Sequence, residues 1–199
     1  LYWRGLTDNT WNFNVNNWST DKAGMSQGLT IPGAGTDVIF AYDSIGTGAL
    51  TTTLEQNFKV NSLTFETGTT TPASVTIASG AVSTNRLEIA PQVSTDGIAI
   101  TTGGPAAVTI SAPVKLGRDQ TWNVADAAST LTLSGGLQGE KDVIQTGIGK
   151  VIVSAAADPT FNAGQTADFT LNAGTFEIQN TGALGSTANS NLANVLINT

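Results

Sequence analysis

The chain has 199 residues, enough for one domain with a full core, and carries 15 acidic against 8 basic residues for a net charge of −7. That balance argues against nucleic acid and anionic lipid as partners, because both need a basic face. With no Cys and no His, it has no disulfide, no thiolate chemistry, and neither the commonest general base nor the commonest metal ligand.

The chain opens on Leu1-Tyr2-Trp3 without a Met, as a mature product or an excised piece would. No signal peptide is visible, and no apolar run approaches the ~18 residues that span a membrane. Residues 1–40 form a first block holding Tyr2, Trp3, Trp11, Trp18 and Phe13. It closes on Ile31-Pro32-Gly33-Ala34-Gly35-Thr36-Asp37, a run of turn signals, and on a strand at Val38–Phe40.

From residue 50 onward the rhythm is regular. Strands are expected at Thr51–Leu54, Lys59–Phe65, Ser74–Ile77, Arg86–Ile89, Gly97–Thr101, Ala107–Ser111, Val114–Leu116 and Thr121–Val124. They continue at Thr130–Leu133, Val143–Gln145, Lys150–Val153, Asp168–Leu171, Thr175–Ile178 and Asn194–Ile197. Leu87/Ile89, Val108/Ile110, Leu131/Leu133, Val151/Val153 and Phe176/Ile178 alternate with polar residues, so each strand turns one face inward. Strand starts every ~7–12 residues allow a sandwich, a barrel or a solenoid. A longer recurrence of ~18–20 residues selects the solenoid. It links Leu131/Leu133 to Val151/Val153 and Phe169/Leu171, and Phe176/Ile178 to Val195/Ile197. The expected fold is all-β, a parallel β-helix of about ten rungs, roughly 45–50 Å long at ~4.8 Å per rung. Its parts would be a cap with the first rung (residues 1–40) and a solenoid body (residues 41–199).

The run Gly-Ile-Gly-Lys-Val-Ile-Val-Ser (147–154), with Ala-Gly-Gln-Thr (163–166), Leu-Asn-Ala-Gly-Thr-Phe-Glu-Ile (171–178) and Gly-Ala-Leu-Gly-Ser (182–186), resembles the autotransporter-associated β-strand repeat of bacterial surface proteins. Val60–Phe65, Leu116–Val124 and Leu131–Gly135 are similar to the same repeat. The resemblance covers most of the chain and is closest after residue 114. It implies a right-handed parallel β-helix, exported to a bacterial surface or secreted, with no catalytic set. Lys150 stands where the repeat usually has Thr. These 199 residues show no sign of a translocator barrel with its aromatic girdles, so secretion by this polypeptide alone is not expected.

Candidate sites are few. The carboxylate pairs Glu140/Asp142, Asp119/Asp126 and Asp37/Asp43 could flank a glycosidic bond, but they read as solvated turn residues. No dense acidic loop suggests Ca²⁺, and no metal or cofactor is expected. Gly147-Ile148-Gly149 and Gly103-Gly104-Pro105 read as corners, since neither ends in the Lys-Ser/Thr of a phosphate loop. Asn17-Trp18-Ser19 fits an N-glycosylation acceptor. Lys22, Lys59, Lys115, Lys141 and Lys150 are candidates for isopeptide bonds, with no spacing that singles one out. Tyr2, Trp3, Trp11 and Trp18 form either a plug over the first rung or a sugar-stacking platform. Trp122, alternating with Val124, reads as packing.

The final run Leu192–Thr199 reads as a strand with no polar cap after it, and a bare terminal rung pairs with whatever strand it meets. The expectation is therefore a non-enzymatic extracellular structural protein. Val195 and Ile197 would meet the Trp-rich start of the next copy, head to tail, or neighbouring repeats of a longer chain. The competing readings are a carbohydrate-binding or carbohydrate-processing β-helix, with polysaccharide as partner, and a fragment of an adhesin.

Overall fold

The computed structural model describes residues 1–41, 48–68, 71–92, 96–185 and 192–198. Two short strands, β1 (Tyr2–Trp3) and β2 (Thr10–Trp11), lead to a single 3₁₀ turn at Val15–Asn17 and then to β3 (Trp18–Ser19). The solenoid starts with β4 (Asp37–Phe40), β5 (Ala49–Leu54) and β6 (Phe58–Val60). The next turn is β7 (Ser62–Phe65), β8 (Ser74–Ala78) and β9 (Leu87–Ile89). The third is β10 (Asp96–Ile100), β11 (Ala107–Ile110) and β12 (Val114–Leu116), and the fourth β13 (Gln120–Val124), β14 (Thr130–Leu133) and β15 (Leu137–Gly139). Beyond these lie β16 (Val143–Thr146), β17 (Lys150–Val153), β18 (Asp168–Leu171), β19 (Thr175–Ile178) and β20 (Asn194–Ile197).

The strands stack into three sheets. Sheet A runs β3-β1-β4-β7-β10-β13-β16-β18-β20, sheet B β2-β5-β8-β11-β14-β17-β19, and sheet C β6-β9-β12-β15. Every pairing is parallel except β1 with β3. The expected parallel β-solenoid is the fold of the chain, in about six turns.

The rung count and repeat length differ from expectation. Leu131 and Leu133 do stack on Val151 and Val153, but the next partners are Phe176 and Ile178 in sheet B. Phe169 and Leu171 belong to sheet A and carry Val195 and Ile197. From β4 and β5 onward a full turn takes between 20 residues (Leu131 to Val151) and 35 (Leu63 to Ile98). The ~18–20-residue recurrence therefore linked strands from different sheets. Corners of variable length hide the true period, because a corner costs only loop-closure entropy that grows slowly with length. Six turns at ~4.8 Å give a stack of about 30 Å, shorter than expected.

Two local departures have visible causes. The single strand expected over Lys59–Phe65 is two strands meeting at Asn61. Phe58 and Val60 point inward, and so do Leu63 and Phe65, so the alternation slips by one residue. The buried Asn61 turns this corner: its Nδ2 donates to Asp37 Oδ1 (2.6 Å) and its Oδ1 accepts the Gln92 N–H (2.6 Å), tying three turns together. The short strand at Leu137–Gly139 was not anticipated, because one inward Leu among Gly and Gln carries no alternation.

Inside, residues from different turns form continuous ladders. In sheet A the ladder is Val38, Leu63, Ile98, Trp122, Gln145, Leu171 and Ile197. Trp122 is fully buried, and its indole N–H donates to Gln120 Oε1 (3.2 Å). Gly147 has φ +78°, and a Cβ there would run into the carbonyl oxygen of Val124 on the preceding turn. Gly147→Ala should therefore lower unfolding free energy by about 1–3 kcal/mol, from left-handed strain plus the clash. Gly33→Ala, with open space around its Cβ position, should change it by less than about 0.5 kcal/mol. Urea denaturation of the two variants checks the contrast.

Candidate functional site

The N-terminal aromatics are placed by β1, β2 and β3. Trp3, Trp11 and Trp18 are each 0% exposed. Trp18 stands edge-on to both Trp3 (4.9 Å between ring centroids) and Trp11 (5.1 Å). Trp3 and Trp11 both lie against Phe40, at 6.1 Å, which stacks on Phe65 at 5.0 Å. The Trp11 indole N–H donates to the buried Thr52 hydroxyl (3.1 Å). The indoles are thus the first layer of the core, and no ring face is open for a sugar to stack on. Tyr2, opposite Ser19 and Ile39, is half-buried.

Asn17 holds this block shut. Its Oδ1 accepts the N–H groups of Thr7 (3.0 Å) and Asp8 (3.3 Å), and its Nδ2 donates to Asp8 Oδ1 (2.7 Å) and the Thr10 carbonyl (3.0 Å). Asn17 and Ser19 are both fully buried, so the glycosylation acceptor read from the sequence is closed off in the folded protein. The outer edge of β3 is also occupied: Gly28 N–H donates to the Trp18 carbonyl (2.8 Å), and Ser19 bridges Gln27. Among the described residues sheet A therefore has no free strand edge at this end. The exposed apolar side chains of the block are Leu6, Phe13, Met25 and Leu29, which lack any periodic pattern in the sequence.

At the other end β20 is paired, among the described residues, on one side only, with β18. Val195 and Ile197 continue the inward ladders yet are 42% and 68% exposed, and the outward Leu196 is 47% exposed. Polar ladders run up to the same rung. Asp119 Oδ1 accepts the Asp142 N–H (3.1 Å), Asp142 Oδ1 accepts the Asp168 N–H (3.0 Å), and Asp168 Oδ1 accepts from Asn194 Nδ2 (2.8 Å). Asn198 Nδ2 likewise donates to Asn172 Oδ1 (2.6 Å).

The same ladders account for the expected carboxylate pairs. Asp119 meets Asp142 on the next turn rather than Asp126, whose Oδ2 accepts the Gly103 N–H (2.7 Å). Glu140 Oε1 accepts the Gly164 N–H (3.0 Å), and Asp37 accepts from Asn61 and Ser62 (both 2.6 Å). Asp43 lies outside the described residues. Asp37, Asp119 and Glu140 act as acceptors for the next turn's corner, and Asp126 for the corner of the turn before it. Of the lysines, Lys22 pairs with Glu66 (3.4 Å), Lys150 with Glu177 (3.1 Å), and Lys59 and Lys115 both with Glu88 (2.7 and 2.9 Å).

The remaining feature is a groove over sheet C. Sheet C ends at β15, and in the following turn residues 156–164 bulge outward in place of a fifth strand. This loop is pinned by the Asp158 N–H to the Leu137 carbonyl (2.9 Å) and the Asn162 N–H to the Gly139 carbonyl (3.0 Å). The buried Phe161 anchors it from below. Between the loop and the outward side chains of β9, β12 and β15 lies a space of about 590 Å³ bordered by Arg86, Glu88, Lys115, Gln138, Glu140 and Lys141. A smaller space of about 240 Å³ adjoins it, with Gln138 on the border of both. Among the described residues no group of three or more acids is placed to hold a metal ion.

Burial opposes ionisation of Glu88, but hydrogen bonds and charge from Lys59 and Lys115 outweigh it and leave the carboxyl below its ordinary value. A depressed folded-state value means stabilisation present above the unfolded value and lost as pH falls through the folded one. Glu88→Gln should thus cost about 1 kcal/mol at pH 7. The gap to wild type should close as pH drops below the ordinary glutamate range, as urea midpoints measured from pH 7 to pH 3 would show. No protein-family model, curated protein or solved structure matches the chain, so its function is argued from this geometry.

Proposed function

We propose that this β-solenoid is a non-enzymatic structural module of a bacterial surface or secreted fibre, joined head to tail to further copies. The observation that carries the assembly reading is the distribution of exposed apolar surface. Of twelve large apolar side chains exposed among the described residues, four (Leu6, Phe13, Met25, Leu29) belong to the first block and five (Ile178, Leu192, Val195, Leu196, Ile197) to the last turns. Apolar surface gathered at the ends favours contacts there over lateral ones.

Two different faces in contact make a heterologous interface, which repeats into a filament. The closed outer edge of β3 sets its geometry: the strand edges left at the N-terminal end are β2 in sheet B and β6 in sheet C. The extracellular setting rests on the resemblance of residues 147–154 and 171–178 to the autotransporter-associated repeat. The absence of His and Cys supports the non-enzymatic reading.

Sedimentation of wild type and two variants tests the assembly. Wild type should associate with rising concentration. Val195→Lys/Ile197→Lys and Met25→Lys/Leu29→Lys should each be monomeric, with the β circular-dichroism signal retained. An equimolar mixture of the two variants should give dimers, since each keeps one intact face. A wild-type protein monomeric at every concentration would overturn the proposal, as would a Met25→Lys/Leu29→Lys variant that associates like wild type.

A further inference from the structure

We propose that the groove over sheet C binds a linear acidic glycan, with carboxylate-bearing sugars lying against Arg86, Lys115 and Lys141. The groove is built where the solenoid departs from its own regularity. Residues 156–164 replace a strand with a wall. Asn162 (φ 51°) and Gln165 (φ 59°) are the two non-Gly residues with left-handed backbone among the described residues; the first lies in this segment and the second directly after it. Such conformations persist where surrounding contacts hold them. Here Asn162 Oδ1 accepts the Ala167 N–H (2.8 Å), and Phe161 is buried beneath.

The charges point to the ligand. In a chain of net charge −7, three of the eight basic residues border this one space, and a fourth, Lys59, stands beside Glu88. Four basic side chains (Arg86, Lys59, Lys115 and Lys141) stand against three acids (Glu88, Glu140 and Asp158) around the groove, a surplus of one positive charge. Glu88 is shared by two lysines, which leaves one positive charge over, and Glu140 is held by the Gly164 N–H. Asp158, at the edge, faces Arg86 but also accepts from the Thr160 N–H (2.8 Å) and hydroxyl (2.5 Å) and from Gln138 (3.5 Å). Among the described residues Arg86 and Lys141 enter no ion pair within 4.0 Å. Cations focused in a concave polar site attract anions even on an acidic protein.

The spacing and lining choose among anions. Arg86, Lys115 and Lys141 belong to successive turns but not to one column. Lys115 stands in register with Glu88 and Gln138, Arg86 lies two residues before Glu88 and Lys141 three residues after Gln138, so the positive groups cross the groove obliquely, one per rung. A linear polyuronide, with a carboxylate on every sugar, can meet positive groups spaced along such an oblique line. Gln138 and Thr160 supply donors and acceptors for hydroxyls. No aromatic ring borders the space, so neither a neutral sugar that relies on stacking nor a peptide anchored by large apolar side chains is served. The groove lies on the flank, so it is independent of the contacts proposed for the two ends.

Calorimetric titration at low salt tests the assignment, using an oligogalacturonate, a dextran oligomer of equal length and an oligoglutamate of equal charge. Wild type should bind the oligogalacturonate and not the dextran, and added salt should weaken that binding. Arg86→Ala/Lys141→Ala should bind at least tenfold more weakly, while Lys22→Ala, remote from the groove, should match wild type. If the double alanine variant loses its β signal, Arg86→Gln and Lys141→Gln measured singly should each still weaken binding. The proposal is overturned by a wild type that does not bind oligogalacturonate, by groove variants that bind as wild type does, or by oligoglutamate binding equally well.

Discussion

The whole molecule depends on in-register pairing of each turn with the turn before it. Once strands lie parallel and ~4.8 Å apart, every side chain has a counterpart directly above and below. Apolar residues then stack into ladders such as Val38–Leu63–Ile98–Trp122. Polar residues stack too, and Asp119, Asp142 and Asp168 each bond to the turn that follows. Stability in such a stack is close to a sum of nearest-neighbour terms, so the interior turns support one another and the two ends do not share that support.

The ends are treated differently. At the start, three indoles fill the cross-section, and β3 turns antiparallel and is closed off by residues 26–28. At the last described strand, β20 carries apolar side chains on the ladders and, among the described residues, has a strand on one side only. A β-strand edge next to exposed apolar surface is the feature folded proteins usually cover.

Sheet C shows how a solenoid acquires a site without changing its fold. Replacing one strand by a bulged loop leaves the neighbouring ladders of sheets A and B intact, because β16, β17, β18 and β19 still pair in register. The loop turns the outward face of β12 and β15 into a floor. Function on such a scaffold belongs to the departures from regularity, since the regular part is committed to packing.

Much of the architecture was legible in the residues alone. Alternation in Leu131/Leu133 or Val151/Val153 marks an inward face whatever the partner, because side chains on a strand point alternately up and down. Nearly all expected strands are present within a residue or two. What the sequence could not show is which strand stacks on which. Corners of unequal length erase the period, so Phe169 was matched with Val151 instead of Val143. The burial of Trp3, Trp11 and Trp18 together, the closing role of Asn17, and the groove over sheet C were equally invisible. Each is made by residues far apart in the chain, such as Arg86, Lys115 and Lys141, that only the winding of successive turns brings side by side.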